Sequence, residues 1–199
     1  MKVLNLYAGI GGNRKLWENV EVTAVELNPE IAKVYSEFFP NDKVVIGDAH
    51  DYLLKHFKEF DFIWSSPPCP THSVLNYSIL VKRYPSMRLY QEIILLQSWF
   101  KGKFCIENVK PYYPPLIKQS VELGRHYFWT NYFVPVKEFT NIDVSRSTAK
   151  ELSKDLDFPI PKCNKARLLL RNVLKPTIGS HLFNCAFKEK QTALIQETK

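Results

Sequence analysis

Residues 2–12 read Lys-Val-Leu-Asn-Leu-Tyr-Ala-Gly-Ile-Gly-Gly, an apolar run that breaks into a cluster of glycines. Lys2–Tyr7 has the composition of a buried strand. Glycines directly after a first strand let the backbone approach a ligand closely, and a helix-like stretch from Asn13 would offer free N–H groups beside it. The spacing is G-x-G-G, not the G-x-G-x-x-G of a dinucleotide site. Outward from this turn the chain alternates short strand patterns with helical ones. Glu21–Val25 reads as a second strand, and Asn28-Pro29 as the N-cap and first position of a helix that stacks Ile31, Val34, Tyr35 and Phe38 on one face. Lys43–Ile46 is a third strand, Asp51–Phe57 a short helix and Phe60–Trp64 a fourth strand. Leu89–Phe100 reads as a helix and Phe104–Ile106 as a fifth buried strand. This rhythm predicts an α/β fold, a doubly wound, Rossmann-like, mainly parallel sheet whose ligands sit at the carboxyl ends of its strands.

The unusual residues fall at those ends. Glu26 closes the second strand, where a carboxylate grips ribose hydroxyls, and Asp48 follows the third, where an acid can bond an adenine amino group. With the glycine turn they point to an adenosine-containing cofactor with no obligatory pyrophosphate; each feature alone is an ordinary turn. After the fourth strand comes Ser66-Pro67-Pro68-Cys69-Pro70-Thr71-His72-Ser73. Prolines fix φ and lack an N–H, so the chain cannot continue the sheet and Cys69 is presented at its end. Two readings stand: a reactive thiol, or a small hydrophobe in a proline turn. The stretch Phe62–Gln91 contains no acid while carrying Lys82, Arg83 and Arg88, a setting that favours thiolate. Glu107 and Asn108 end the fifth strand, and an acid at such an apolar edge can hold a proton and act as a general acid.

Beyond Asn108 the pattern blurs. Pro111, Pro114 and Pro115 precede an expected short helix, Tyr127–Val134 reads as a strand or hairpin arm, and the polar residues 137–165 as an excursion or mobile loop. Ala166–Val173 and His181–Phe187 are expected to be short helices closing the fold. The chain of 199 residues divides as a core over 1–134, a compact recognition segment or mobile loop over 135–165 and a closing segment of the same domain over 166–199. Its charge is uneven: residues 1–100 hold 10 basic and 11 acidic side chains, and residues 101–199 hold 17 and 9. A basic half suits a polyanionic partner. Apolar runs stay short of the ~18 residues of a membrane span. The opening Met-Lys-Val-Leu-Asn-Leu lacks a signal-peptide h-region, and the four cysteines form no C-x-x-C pair. A cytoplasmic location, no membrane association and no metal site are expected.

In order along the chain, LYAGIGG, VEL, GDA, PPCPTHS and ENV resemble the cytosine-C5 DNA methyltransferase family over about residues 2–110. The resemblance implies S-adenosyl-L-methionine as cofactor, bound by Tyr7, Ala8, Gly9, Gly11, Gly12, Glu26, Leu27, Asp48, Ala49 and Pro67, with Tyr7 beside the adenine where the family usually has Phe. Asn5 stands where an acid is usual. It implies Cys69 as the nucleophile on C6 of a flipped cytosine and Glu107 holding N3 and the exocyclic amine. Asn108 would fix the Cys69 loop, and Arg125 would contact the target nucleotide, although the usual Gln-x-Arg-x-Arg pattern is absent. Ile178-Gly179-Ser180-His181 resembles the last family motif, which returns to the cofactor pocket. Residues 70–88 are expected to close over the nucleotide, with Thr71, Ser73, Tyr77, Lys82, Arg83, Tyr84 and Arg88 toward nucleic acid. DNA is the expected partner of a monomeric enzyme of restriction-modification or phage type. RNA methylation by the same chemistry and a silent nucleic-acid-binding module are the alternatives.

Overall fold

The computed structural model describes residues 1–74, 83–140 and 143–188. Tyr77 and Lys82, expected to face nucleic acid, lie outside the described residues, as does the end of the closing segment. Strands β1 (Lys2–Leu6), β2 (Glu21–Glu26), β3 (Lys43–Ile46), β4 (Phe62–Ser65), β5 (Lys103–Val109), β6 (Val121–Leu123) and β7 (His126–Thr130) form one sheet in the order β3-β2-β1-β4-β5-β7-β6. The first five strands pair in parallel; β7 is antiparallel to both β5 and β6. The chain moves outward from β1 to β3 and returns to β4 on the other side of β1. That reversal is a topological switch point, where such sheets open a crevice at their carboxyl edge.

Side chains alternate between the faces. Phe62, Trp64 and Phe128 pack on one side with Trp17 and with Phe183 of helix α6 (Pro176–Ala186). Leu4, Leu6, Ile63 and Ile106 pack on the other, against Leu53 of α2 (Ala49–His56) and Ile93 and Leu96 of α3 (Arg88–Trp99). Helix α1 (Pro29–Phe38) starts as its sequence requires: the Asn28 side chain accepts from the N–H groups of Glu30 and Ile31 at 2.9 and 3.3 Å, and Pro29 stands in the first turn. Helix α2 begins earlier than Asp51, because the Asp48 carboxylate accepts from the Asp51 N–H at 3.1 Å and caps it.

Four expectations are corrected. The stretch from Asn13 is a series of turns, not a helix. Its bonds close to the third residue back (Arg14 to Gly11, Trp17 to Arg14), and the Arg14 guanidinium takes the Trp17 carbonyl at 2.6 Å and ends the run. No helix follows Pro115; the backbone there is held by side chains instead, as where the Leu116 N–H donates to the Tyr90 hydroxyl at 3.2 Å. The polar segment 137–165 carries α4 (Ala149–Leu156), opened by a capping box between Thr148 and Glu151. Its Leu152 and Leu156, with Phe158 beyond, pack on Val34 of α1 and on Leu170 of α5 (Ala166–Arg171). Finally, α6 starts at Pro176, five residues before His181, with proline in its first turn.

Candidate active site

The register brings the key residues level. Leu6 pairs with Ser65 and Ser65 with Ile106, so Tyr7, Ser66 and Glu107 emerge side by side at the carboxyl edge. Leu6 also pairs with Val25, which puts Glu26 beside Tyr7. The turn after β1 uses left-handed backbone at Tyr7, Gly9 and Gly11, with φ of 54°, 56° and 85°. That conformation is ordinary for glycine and uncommon for a bulky residue such as Tyr7. Glu26 fastens the turn: its carboxylate accepts from the Gly9 N–H at 3.0 Å and the Asn28 N–H at 2.9 Å. Asn5, buried beneath, accepts from the Asn13 side chain at 2.8 Å. Gly12 permits the close approach of the segment after α5, since a Cβ there would stand 2.7 Å from the Leu174 carbonyl oxygen.

A cavity of about 150 Å³ lies between this turn, Ile31, Ser66, Glu107 and the segment Leu169–Leu174. Pockets that enclose a whole drug-sized ligand measure ~300–1,000 Å³. The cavity therefore suits one end of an adenosine-bearing molecule, next to Glu107. The remainder has a platform outside it in Leu27, an apolar side chain 67 % exposed directly after Glu26. Asp48 lies toward the same edge, although Arg88 engages it at 2.8 Å. Arg88, expected to face nucleic acid, is thus paired with the cap of α2.

Asn108 is buried and donates to the Pro67 carbonyl at 2.9 Å, holding the proline turn that carries Cys69. The turn is closed by the His72 and Ser73 N–H groups donating to the Cys69 carbonyl at 2.9 and 3.0 Å. His72 is buried with Nδ1 2.6 Å from the Tyr113 hydroxyl. Thr71 accepts from the Ser86 N–H at 3.0 Å, and Ser73 pairs with Pro111. The Arg83 carbonyl accepts from the Tyr112 hydroxyl at 3.1 Å. Thr71, Ser73 and Arg83 are therefore each pinned to the body of the protein.

The Glu107 side chain is only 13 % exposed, and burial raises its pKa to about 7, against a hydrogen bond from Ser66 and the charge of Arg125. Burial, followed by the charge of Glu107, pushes the Cys69 thiol up, while Arg125 pulls it down. Cys69, Glu107 and Arg125 thus share one electrostatic field. Arg125, just before β7, is also anchored by donating to the Arg171 carbonyl at 3.0 Å. His126 Nε2 lies 3.5 Å from Glu107 Oε1, and burial lowers the imidazole pKa to about 3, so the ring beside Glu107 is neutral.

The family model for C-5 cytosine-specific DNA methylases matches residues 1–112, more than half of the chain. The chain belongs to that family. No curated protein matches it. Among solved structures, it is similar to a Spodoptera frugiperda DNMT2 variant, at 17 % identity and a TM-score of 0.62 over 94 % of this chain and 99 % of that one. A putative methyltransferase from Escherichia coli aligns at 16 % identity and a TM-score of 0.44 over 65 % of this chain and 73 % of that one. As a member of the family the protein is a cytosine-C5 methyltransferase, and S-adenosylmethionine is its cofactor. Among the described residues, no helix is long and apolar enough to cross a membrane.

Two groups at this edge were not singled out from the sequence, His126 and Glu92. The second had a signal. In α3, Leu89, Ile93 and Leu96 mark the buried face, and Glu92 stands on that face as an acid among apolar neighbours.

Proposed function

We propose that the chain methylates C5 of cytosine in DNA through a covalent bond between Cys69 and C6. The observation that carries this reading is the edge itself: the Cys69 turn held by Asn108, with Glu107 and the cavity beside it and Arg125 within electrostatic reach. Tyr7, Ala8, Gly9, Gly11, Gly12, Glu26, Leu27, Asp48, Ala49 and Pro67 form the cofactor side, with the adenine against Tyr7 and Leu27. S-adenosylmethionine, when bound, supplies an electrophilic methyl group.

The chain's own residues do the rest. The target cytosine leaves its stack to reach the edge. The Cys69 thiolate adds to C6, and the electron pair of the C5–C6 double bond makes C5 nucleophilic toward that methyl group. Glu107, protonated over part of the neutral range, gives its proton to N3 and accepts from the exocyclic amine. Protonated Glu107 also ceases to repel the thiolate, so one proton serves both groups. Arg125 stabilises the thiolate and the nucleotide. Once C5 has lost its proton to a base, the C6–S bond breaks, Cys69 leaves and Glu107 recovers the proton from N3. The basic half of the chain, with Arg83, Thr71 and Ser73 around the loop, supports contact with a phosphate backbone.

The test uses tritium-labelled S-adenosylmethionine with mixed-sequence DNA and, separately, RNA, comparing wild type with Cys69→Ala. Label recovered as 5-methylcytosine in DNA with wild type alone is the expected result. Label in RNA only overturns the substrate assignment, and equal transfer by Cys69→Ala overturns the covalent step. DNA bearing 5-fluorocytosine, which has no C5 proton to lose, should trap a protein–DNA adduct stable to denaturing electrophoresis.

A further inference from the structure

Glu92 is fully buried in the first half of α3 and is far from the Cys69 turn in role. Its Oε1 accepts from the Tyr7 hydroxyl at 2.7 Å and lies 3.0 Å from His50 Nδ1, and its Oε2 accepts from the Ser65 hydroxyl at 2.5 Å. A buried carboxylate is costly, and a well-packed apolar residue in its place commonly leaves a fold as stable or more so. Stability alone therefore does not account for an acid on this apolar face. What the acid does is geometric. Tyr7 sits in left-handed backbone at the head of the glycine turn, and its hydroxyl is tied down from below by Glu92. One helical turn earlier on the same face, Arg88 reaches Asp48 at 2.8 Å. Two residues assigned to the adenine side are thus both held by the first turns of α3.

We propose that Glu92 is a positioning residue for cofactor binding: with His50 and Ser65 it fixes the orientation of the Tyr7 ring, and so sets the affinity for the adenine end of S-adenosylmethionine. This inference rests on the placement of that adenine against Tyr7. A ring held in place before binding loses less freedom when the purine packs on it, which is the general advantage of preorganisation. The bond from the Tyr7 hydroxyl to Glu92 Oε1 is short, 2.7 Å, and directional.

The experiment measures S-adenosylmethionine binding to the full chain by isothermal titration calorimetry, alongside urea denaturation and steady-state methyl transfer. Glu92→Gln, Tyr7→Phe and the double variant are compared, with Ser65→Ala as a milder change and Leu96→Ala as a packing defect in the same helix. Glu92→Gln and Tyr7→Phe should each weaken binding by about fivefold or more. The double variant should be no weaker than the worse single by more than about twofold, because both break one unit. KM for the cofactor should rise by more than kcat falls, and Leu96→Ala should lower the urea midpoint with affinity kept within about twofold. Unchanged affinity in Glu92→Gln and Ser65→Ala overturns the inference, as do additive singles or an equal loss in Leu96→Ala. Tyr7→Ala separates the two levels of the argument: if it binds like wild type, the adenine does not rest on Tyr7 and the underlying placement fails. If it binds weakly while Glu92→Gln does not, only the positioning role fails.

Discussion

Asn108 joins the strand that carries the acid to the turn that carries the thiol, and replacing it should damage rate more than fold. The residue is 1 % exposed, and its side chain donates to the Pro67 carbonyl at 2.9 Å and accepts from the Val109 N–H at 3.0 Å. Pro67 lies two residues before Cys69, in a turn stiffened by Pro68 and Pro70. Asn108→Ala leaves a buried carbonyl without this donor, a cost of about 1–3 kcal/mol. Where that cost falls on the alignment of Cys69, it corresponds to a loss of roughly ten- to a hundredfold in the single-turnover rate, at about 1.4 kcal/mol per tenfold. Asn108→Asp keeps the shape and turns the donor into an oxygen that faces the Pro67 carbonyl. Its deficit relative to wild type should be largest at high pH and shrink as the pH falls, because a protonated carboxyl donates again. Rapid-quench methyl transfer at saturating cofactor, with urea denaturation on the same preparations, separates rate from stability. A single-turnover rate within twofold of wild type for Asn108→Ala, in a folded protein, refutes the reasoning.

Other consequences follow from the same edge. Glu107 has a folded pKa near 7 against an ordinary 4.5, so its contribution to stability is present in full below pH 4.5 and is gone once the pH has passed 7. Glu107→Gln, which cannot ionise, should therefore resist urea better than wild type at pH 8, by up to the order of 3 kcal/mol, while losing activity; equal urea midpoints at pH 5 and pH 8 in wild type would contradict the burial argument. The wild-type rate should rise with pH through about 7 as the Glu107–Cys69 pair loses its first proton, and that acid limb should be displaced in Glu107→Gln. Gly179→Ala places a Cβ 2.5 Å from the Asn13 carbonyl oxygen and must push α6 off the glycine turn. A destabilisation of about 1–3 kcal/mol is expected, read from thermal or urea unfolding. DNA binding should weaken with salt, by roughly 40-fold between ~50 and ~200 mM for three neutralised phosphates, and a flat salt titration by fluorescence anisotropy would exclude the basic half as the contact surface.

The parallel half of the fold was legible because its signals are local. Asn28-Pro29 opens α1, apolar runs mark the strands, and glycine or proline turns end them. That the candidate site residues gather at those ends was legible for the same reason, since a strand end in such a sheet is a place and not only a conformation. Helix α4 is hidden by the polar composition around it, although Thr148-Ala149-Lys150-Glu151 spells its capping box. The turns after Gly12 look like a helix in sequence because what ends them, the Arg14 side chain on the Trp17 carbonyl, is decided by packing around Trp17. Arg88 showed its charge but not its direction: whether it faces a phosphate or Asp48 depends on how α3 sits against α2. Glu92 and His126 needed their partners from distant segments before either had a role.

The antiparallel strand explains why the edge can gather so much. A parallel strand beside β5 would start at the opposite side of the sheet and deliver its first residues far from the cofactor. Because β7 runs the other way, it starts where β5 ends, with His126 opposite Val109. Arg125 and His126 therefore arrive beside Glu107 from a hairpin, with no long crossover needed. The pleat then divides the labour on β5 itself. Glu107 shares a face with Phe128 and His126 and opens on the cavity, while Asn108 points to the other side and holds the Cys69 turn. Successive residues of a strand must point apart, so the acid and the amide cannot exchange roles, and a slip of one residue in the β5 register would take both from their tasks at once. The pairing of β5 with β4 and β7 therefore sets the geometry of the proposed site, and changes that loosen it far from the edge, at Cys105 or Thr130, should cost activity before they unfold the chain.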